Sequence, residues 1–238
     1  ASGDFDLSIG SVVACSGVLA AVVIDRTGNV VLGVLAGVAA GGVVGLFNGV
    51  IIAKFRINAL ITTLATMQIV RGTSYLVSGG KAVGVREEGF FWLGNSAPLG
   101  LPTPVWITLS CFLVFGFLLR STTFGRNTLA TGGNQEAARL AGIAVDRLKM
   151  IIFSAQGLMA GFAGVVLASR MTSGQPTTAM GFELEVISAC VLGGVSLTGG
   201  VGSMGFVVAG VLLMGTVQNA MNLLNVPPFY QYVARGLI

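Results

Sequence analysis

The chain has 238 residues, of which 54% are hydrophobic and only 9% charged, against roughly a quarter charged in an ordinary soluble domain. That balance excludes a water-soluble globular fold and predicts an all-α, polytopic transmembrane bundle. The net charge of +4 does not point to nucleic acid, because Lys and Arg stand at the ends of apolar runs and in short connections rather than along one exposed face.

Crossing ~30 Å of hydrocarbon takes about 20 helical residues. Runs of this kind cover residues 9–24, 30–53, 57–77, 104–119 and 150–169, with a sixth over 203–224 and a seventh starting near Phe229. Between Glu183 and Gly194 lies an apolar piece too short to cross. It leads into Val195-Ser196-Leu197-Thr198-Gly199-Gly200-Val201-Gly202, and a short helix followed by a glycine-rich break predicts a re-entrant or discontinuous segment. Residues 1–238 are expected to form a single transmembrane domain. The chain starts at Ala1 without an initiator Met and stops at Gly236-Leu237-Ile238 inside an apolar run, so it is expected to be a piece of a longer protein.

Lys54 and Arg56 flank one connection, and Arg120, Arg126, Arg139, Arg147 and Lys149 fill another over residues 120–149; the positive-inside rule places both in the cytoplasm. Asp25 and Arg26, residues 78–103 and residues 172–182 then face outward. In the second run Gly33, Gly37, Gly41, Gly45 and Gly49 recur every four residues, which lets helices approach closely in lipid. That helix is expected to be central, with its glycine face packed inside the chain; an oligomer seam is the competing reading.

The cytoplasmic connection carries a polar island, Gly133-Asn134-Gln135-Glu136-Ala137-Ala138-Arg139-Leu140-Ala141-Gly142. Asn134 can cap a short helix, Glu136 suits its first turn, the alanines leave low relief for another protein's groove, and Gly142 can end it. A soluble partner is expected to dock there.

Histidine is absent, which removes His-based metal sites, His general bases and Ser-His triads together. No metal site and no catalytic residue are expected. Cys15, Cys111 and Cys190 lie singly in apolar runs and read as buried small hydrophobes. Gly79-Gly80-Lys81-Ala82 has neither the spacing nor the hydroxyl of a phosphate loop. Polar groups inside apolar runs lack partners unless they face a cavity or each other, which makes Asp6, Asn48, Gln68 and Asn219 candidates for a solute path. For Asn48 and Asn219 an interhelical hydrogen bond is the plainer reading. Asp6-Leu7-Ser8 is expected to cap a helix after a break, and Arg71 to snorkel towards the outer headgroups. Gln175, Pro176, Glu183 and Glu185 fall on the outer side, as a gate or a contact for a binding protein, or else as a solvated loop capping the next helix.

The sequence resembles the permease subunits of ATP-binding-cassette (ABC) importers, more narrowly the ribose-type monosaccharide permeases. The likeness rests on Asp6-Leu7-Ser8-Ile9-Gly10-Ser11, Thr63-Leu64-Ala65-Thr66-Met67, Arg71-Gly72, Val77-Ser78-Gly79-Gly80, residues 132–143, Ser173-Gly174-Gln175-Pro176 and residues 193–203. It implies an inner-membrane subunit paired with a second permease copy, a cytoplasmic ATPase that binds ATP and Mg on another chain, and an extracytoplasmic sugar-binding protein. It also implies that residues 133–142 are the coupling helix. Three positions depart from the family pattern: Asp4 stands for a usual glycine, and Asn58 and Gln135 for common prolines. Asp4 either alters substrate preference or sits at the membrane surface. A proton- or ion-coupled carrier is the competing class, yet it would hold ionisable groups near the bilayer midplane, and those are scarce. An intramembrane enzyme has little support, with no Gly-x-Ser-x-Gly elbow in the chain.

Overall fold

The computed structural model describes residues 1–237; Ile238, the last residue of the terminal apolar run, lies outside them. The described residues form α-helices almost throughout, with one two-stranded ladder. In order these are α1 (Ile9–Thr27), α2 (Val30–Lys54), α3 (Ala59–Ser78), β1 (Val83–Gly84), α4 (Glu88–Asn95), α5 (Thr103–Ser121), α6 (Thr123–Gly133), α7 (Gln135–Leu140), α8 (Val145–Met171), β2 (Ser173–Gly174), α9 (Phe182–Leu192), α10 (Met204–Leu223) and α11 (Pro228–Leu237). Among them, α1, α2, α5, α8 and α10 are long and apolar enough to cross a membrane. The third expected span forms as the 20-residue helix α3 but is not among those five. Thr62, Thr63, Thr66, Gln68, Arg71, Thr73 and Ser74 lower its apolar content below that of a free-standing span.

Two compact units emerge, and the boundary between residues 111 and 112 falls inside α5. One comprises Phe5–Cys111 and Ala144–Glu183. Its central helix is α1, whose most apolar window is 67% buried against 22% for α2. The expectation that the glycine-striped helix is central is therefore corrected. In α2 the five glycines are buried, whereas Val31, Leu35 and Val43 on its other faces are exposed; a stripe of small residues marks one contact face, not a core.

The partners of that stripe are α1 and α8. Gly33 and Gly37 lie against Ala20, Ile24 and Ser16 of α1. Gly41 and Gly45 meet Gly157 and Gly161 of α8 so closely that a methyl on Gly45 would strike the Phe153 carbonyl oxygen and lie 3.0 Å from the Gly157 Cα. Backbone touches backbone, and dispersion rather than a hydrophobic drive holds such contacts in lipid. Gly164 continues the α8 stripe onto Val13 of α1.

Residues 78–103 are folded rather than loop-like. β1 pairs antiparallel with β2, Val83 opposite Gly174. Helix α4 docks on the last turn of α8, where Ser169 Oγ donates to the Phe90 carbonyl at 2.6 Å and Asn95 Nδ2 donates to the Ser169 carbonyl at 3.0 Å. Phe90, Val85, Ile24 and Val165 close an apolar cluster there.

The other unit comprises Ala1–Asp4, Phe112–Ile143 and Leu184–Ile238. The expected short helix and glycine break appear as α9 and a turn in which Gly194, Gly199 and Gly200 take positive φ. Helix α10 folds back on α9, with Gly193 against Phe206 and Val207, and Gly210 against Ala189. Cys15 is buried as expected, but Cys111 and Cys190 are only partly so.

Candidate coupling segment and intramembrane polar cluster

Helix α7 is built from local signals. The Asn134 side chain accepts from the Ala137 amide at 2.9 Å, satisfying one of the donors a helix start leaves open. Glu136 lies in the first turn, where the helix dipole favours a negative charge. At the other end Gly142 has φ +85°. Its amide donates to the Arg139 carbonyl at 3.0 Å while the Ile143 amide donates to the Ala138 carbonyl at 3.0 Å, the paired closure that a left-handed glycine permits. Asn134, Gln135, Glu136, Ala137 and Gly142 are exposed. Ala138 is buried, so of the two alanines only Ala137 presents a bare surface.

Leu140 was not singled out by the sequence, and it is 90% exposed at the end of α7. The signal existed: it is the one leucine in the polar stretch Gly133–Gly142. Just before α7, Gly132 lies against the Ala1 carbonyl oxygen and the Gly200 amide, and Gly199 against the Gly132 carbonyl oxygen and Gly3. The Gly200 amide also donates to the Ala1 carbonyl at 2.8 Å. The root of α7 and the glycine break after α9 are thus in backbone contact.

In the unit built on α1, a directed chain of hydrogen bonds joins three elements. Thr66 Oγ1 of α3 donates to Asn48 Oδ1 of α2 at 2.7 Å, and Asn48 Nδ2 donates to Ser8 Oγ at 3.1 Å. Ser8 Oγ and the Ser8 amide then donate to Asp6 Oδ1 at 2.6 and 2.8 Å. Asn48 is fully buried, and Asp6, Ser8 and Thr66 nearly so. Within the Asp6-Leu7-Ser8 motif it is Asp6 that caps the start of α1, accepting the Ser8 amide, whereas the Ser8 side chain makes no cap bond because its hydroxyl is committed to Asp6. Thr66 was quoted in the sequence only as part of a motif; its role as donor depends on which α3 face meets Asn48.

Gln68 and Asn219 are exposed. Gln175 is half-buried and donates to Ser173 Oγ at 3.2 Å, Pro176 is buried, and Glu183 and Glu185 are half-buried in the first turn of α9. Arg71 does not snorkel: its Nη1 donates to the carbonyls of Pro176 and Thr178 at 2.7 and 2.8 Å. A cavity of about 10 Å³ lies among Val13, Gly17, Gly164, Gln175 and Thr178, room for about one water and none for a sugar. The departure at position 58 has a local reason, since Asn58 Oδ1 caps α3 by accepting from the Leu60 amide at 2.8 Å.

Five helices long and apolar enough to cross a membrane mark the chain as a multi-pass membrane protein. The chain belongs to the family described as "Branched-chain amino acid transport system / permease component", matched over residues 1–238. It is thus a multi-pass inner-membrane permease component of a transport system. It is 64% identical over 238 residues to the L-arabinose transport system permease protein AraH of Escherichia coli (strain K12), covering all of this chain and 73% of that protein. It is 59% identical to the L-arabinose ABC transporter permease protein AraH of Azospirillum brasilense, over 99% of this chain and 70% of the relative. With the ribose import permease protein RbsC of Escherichia coli (strain K12) the identity is 41%, over 98% and 74%. No solved structure matches.

Proposed function

We propose that the chain carries a pentose, L-arabinose or a close relative, across the inner membrane by alternating access driven by ATP hydrolysis on a partner. The pentose reading draws on the arabinose-named relatives at 64% and 59% identity, with the ribose-named one at 41%. The partners are a second permease copy, identical or related, a cytoplasmic ATPase dimer and a binding protein that delivers the sugar from outside.

The observation that carries this reading is α7, a short helix capped at both ends with Glu136, Ala137 and Leu140 exposed. It is the coupling helix. Leu140 seats in an apolar pocket of the ATPase, and Asn134, Glu136 and Gly142 keep the helix intact and oriented. Apolar anchors in a polar rim supply most of the binding energy in interfaces of this kind. When the ATPase closes, α7 shifts and its root at Gly132 pushes on the Gly199–Gly200 turn, moving α9 and α10. Such a shift has to act on elements with two discrete arrangements. Gln68 contacts the solute through its exposed amide. Asp6 and Asn48 stiffen the wall of the solute path through the chain that ends on the Asp6 carboxylate. Gln175, Pro176, Glu183 and Glu185, buried or half-buried, act as a gate rather than as a docking face.

The test is reconstitution with the ATPase and a loaded binding protein in lipid. Glu136→Lys or Gly142→Asp is expected to lower the binding-protein-stimulated hydrolysis at least about tenfold, the effect of losing ~1.4 kcal/mol of docking energy. Uptake that persists without any ATPase and collapses with the proton gradient would overturn the reading.

A further inference from the structure

Between β2 and α9 the backbone is neither helix nor sheet over residues 175–181. This segment was expected to be an outward loop, yet it follows α1. A methyl on Gly174 would lie 2.6 Å from the Gly17 carbonyl oxygen, and a methyl on Gly10 would lie 2.5 Å from both the Ala179 carbonyl oxygen and Glu183 Oε2. Gly17 and Gly10 stand seven positions apart on α1, which is ~10 Å at 1.5 Å per residue. The segment therefore runs alongside about a third of the ~30 Å that a spanning helix must cross.

Irregular backbone at such depth survives only where protein or a wet cavity satisfies its polar groups, because hydrocarbon offers no donor. The segment satisfies little of itself: the Thr178 amide donates to the Gln175 carbonyl at 3.2 Å and the Phe182 amide to the Ala179 carbonyl at 3.4 Å. The carbonyls of Pro176 and Thr178 instead receive Arg71 Nη1 at 2.7 and 2.8 Å. A guanidinium suits this task because it keeps its charge and presents donors in a rigid fork. Gly10 matters equally, since any side chain there would push the segment off α1.

We propose that Arg71 is a positioning residue for transport. Its guanidinium supplies the donors that the bilayer withholds from Pro176 and Thr178, and so holds residues 175–181 along α1. Residues 175–181 thereby keep a fixed place along α1 while other elements move. Arg71 does not touch the solute; it acts through the segment. The uptake part of this inference rests on the pentose-importer reading, whereas the tether itself does not.

The experiment uses the assembled importer in proteoliposomes, in a background carrying Cys15→Ala, Cys111→Ala and Cys190→Ala, with Thr178→Cys as reporter for a membrane-impermeant maleimide. Arg71→Ala is expected to raise the labelling rate at least about tenfold, as loss of ~1.4 kcal/mol of closure does. Arg71→Lys, which keeps a charged donor, is expected to fall between, and Gly72→Ala, with open space around it, to match the parent. In the same vesicles Arg71→Ala is expected to lower the maximal uptake rate while the concentration of loaded binding protein giving half-maximal uptake stays unchanged. A mere loss of folded protein would lower labelled and assembled material together. Should Arg71→Ala fail to assemble, Arg71→Lys decides alone: labelling equal to the parent overturns the tether. Labelling that rises with no change in maximal uptake overturns the role in transport. Parent vesicles that take up no sugar would count against the function proposed above, and the labelling would still decide the tether.

Discussion

In the unit built on α1, glycines sit where helices touch: Gly41, Gly45, Gly157 and Gly161 bring α2 and α8 into backbone contact. In the unit that carries α7, Gly193 and Gly210 also pack α9 on α10, but Gly142, Gly199 and Gly200 sit in turns with positive φ. Burial differs as well, with 67% of the α1 window buried and 6% of the α10 window. Close helix contacts resist deformation because a small shift breaks many dispersion contacts at once. Glycine turns change with a few dihedrals. One unit is thus held by backbone contacts between long helices, and the other joins helices through glycine turns.

The largest effect expected from breaking this contrast is at Gly41. Gly41→Ala places a methyl against the Gly157 carbonyl oxygen and the Gly161 backbone, and overpacking of this kind costs about 1–3 kcal/mol. Thermal unfolding in detergent is expected to show the loss, whereas Gly215→Ala, with nothing within 4 Å, leaves the midpoint in place. Equal sensitivity at both positions would dissolve the distinction between packed and open glycines.

Next is Leu140→Ser, expected to weaken ATPase association about tenfold, ~1.4 kcal/mol, with no change in the unfolding midpoint, since the side chain is 90% exposed. Co-purification of the ATPase at graded concentrations reads it. A drop in stability instead would mean that Leu140 packs within its own chain.

The smallest and sharpest comparison sets Asn48 against Gln68. Asn48→Ala removes bonds to Thr66 and Ser8, and interhelical hydrogen bonds in membranes contribute about 0.6 kcal/mol each, so a modest fall in stability is expected with the half-saturation of uptake unchanged. Gln68→Ala is expected to do the reverse, altering half-saturation a few-fold at constant stability. An exchange of these outcomes would place the solute beside Asn48 and remove Gln68 from its path.

Much of the helical order was legible because a bilayer imposes a length and a composition on every crossing element. The capped helix at residues 135–140 was equally legible, since Asn134, Glu136 and Gly142 act on their immediate neighbours along the chain. The polarity of α3 could be read too, but not its meaning: Thr66, Arg71 and Ser74 look alike in a helix until a facing neighbour is known. The second glycine face, on α8, escaped notice because it holds a single four-residue interval, Gly157 to Gly161, before the spacing shortens at Gly164.

By itself, the sequence determined that the chain spans a membrane as helices, roughly where the long helices run, and that a small capped helix lies in a long polar connection. These properties come from local preferences and from transfer of side chains out of water, which depend on residue type and near neighbours alone. Only the tertiary structure decided that α1 rather than α2 is central, that Asn48 hands its hydrogen bonds to Ser8 and Thr66, and that Arg71 reaches the carbonyls of Pro176 and Thr178. Those outcomes join residues 18 to 107 positions apart, and which partner satisfies a buried donor is settled by the packing that brings the two together.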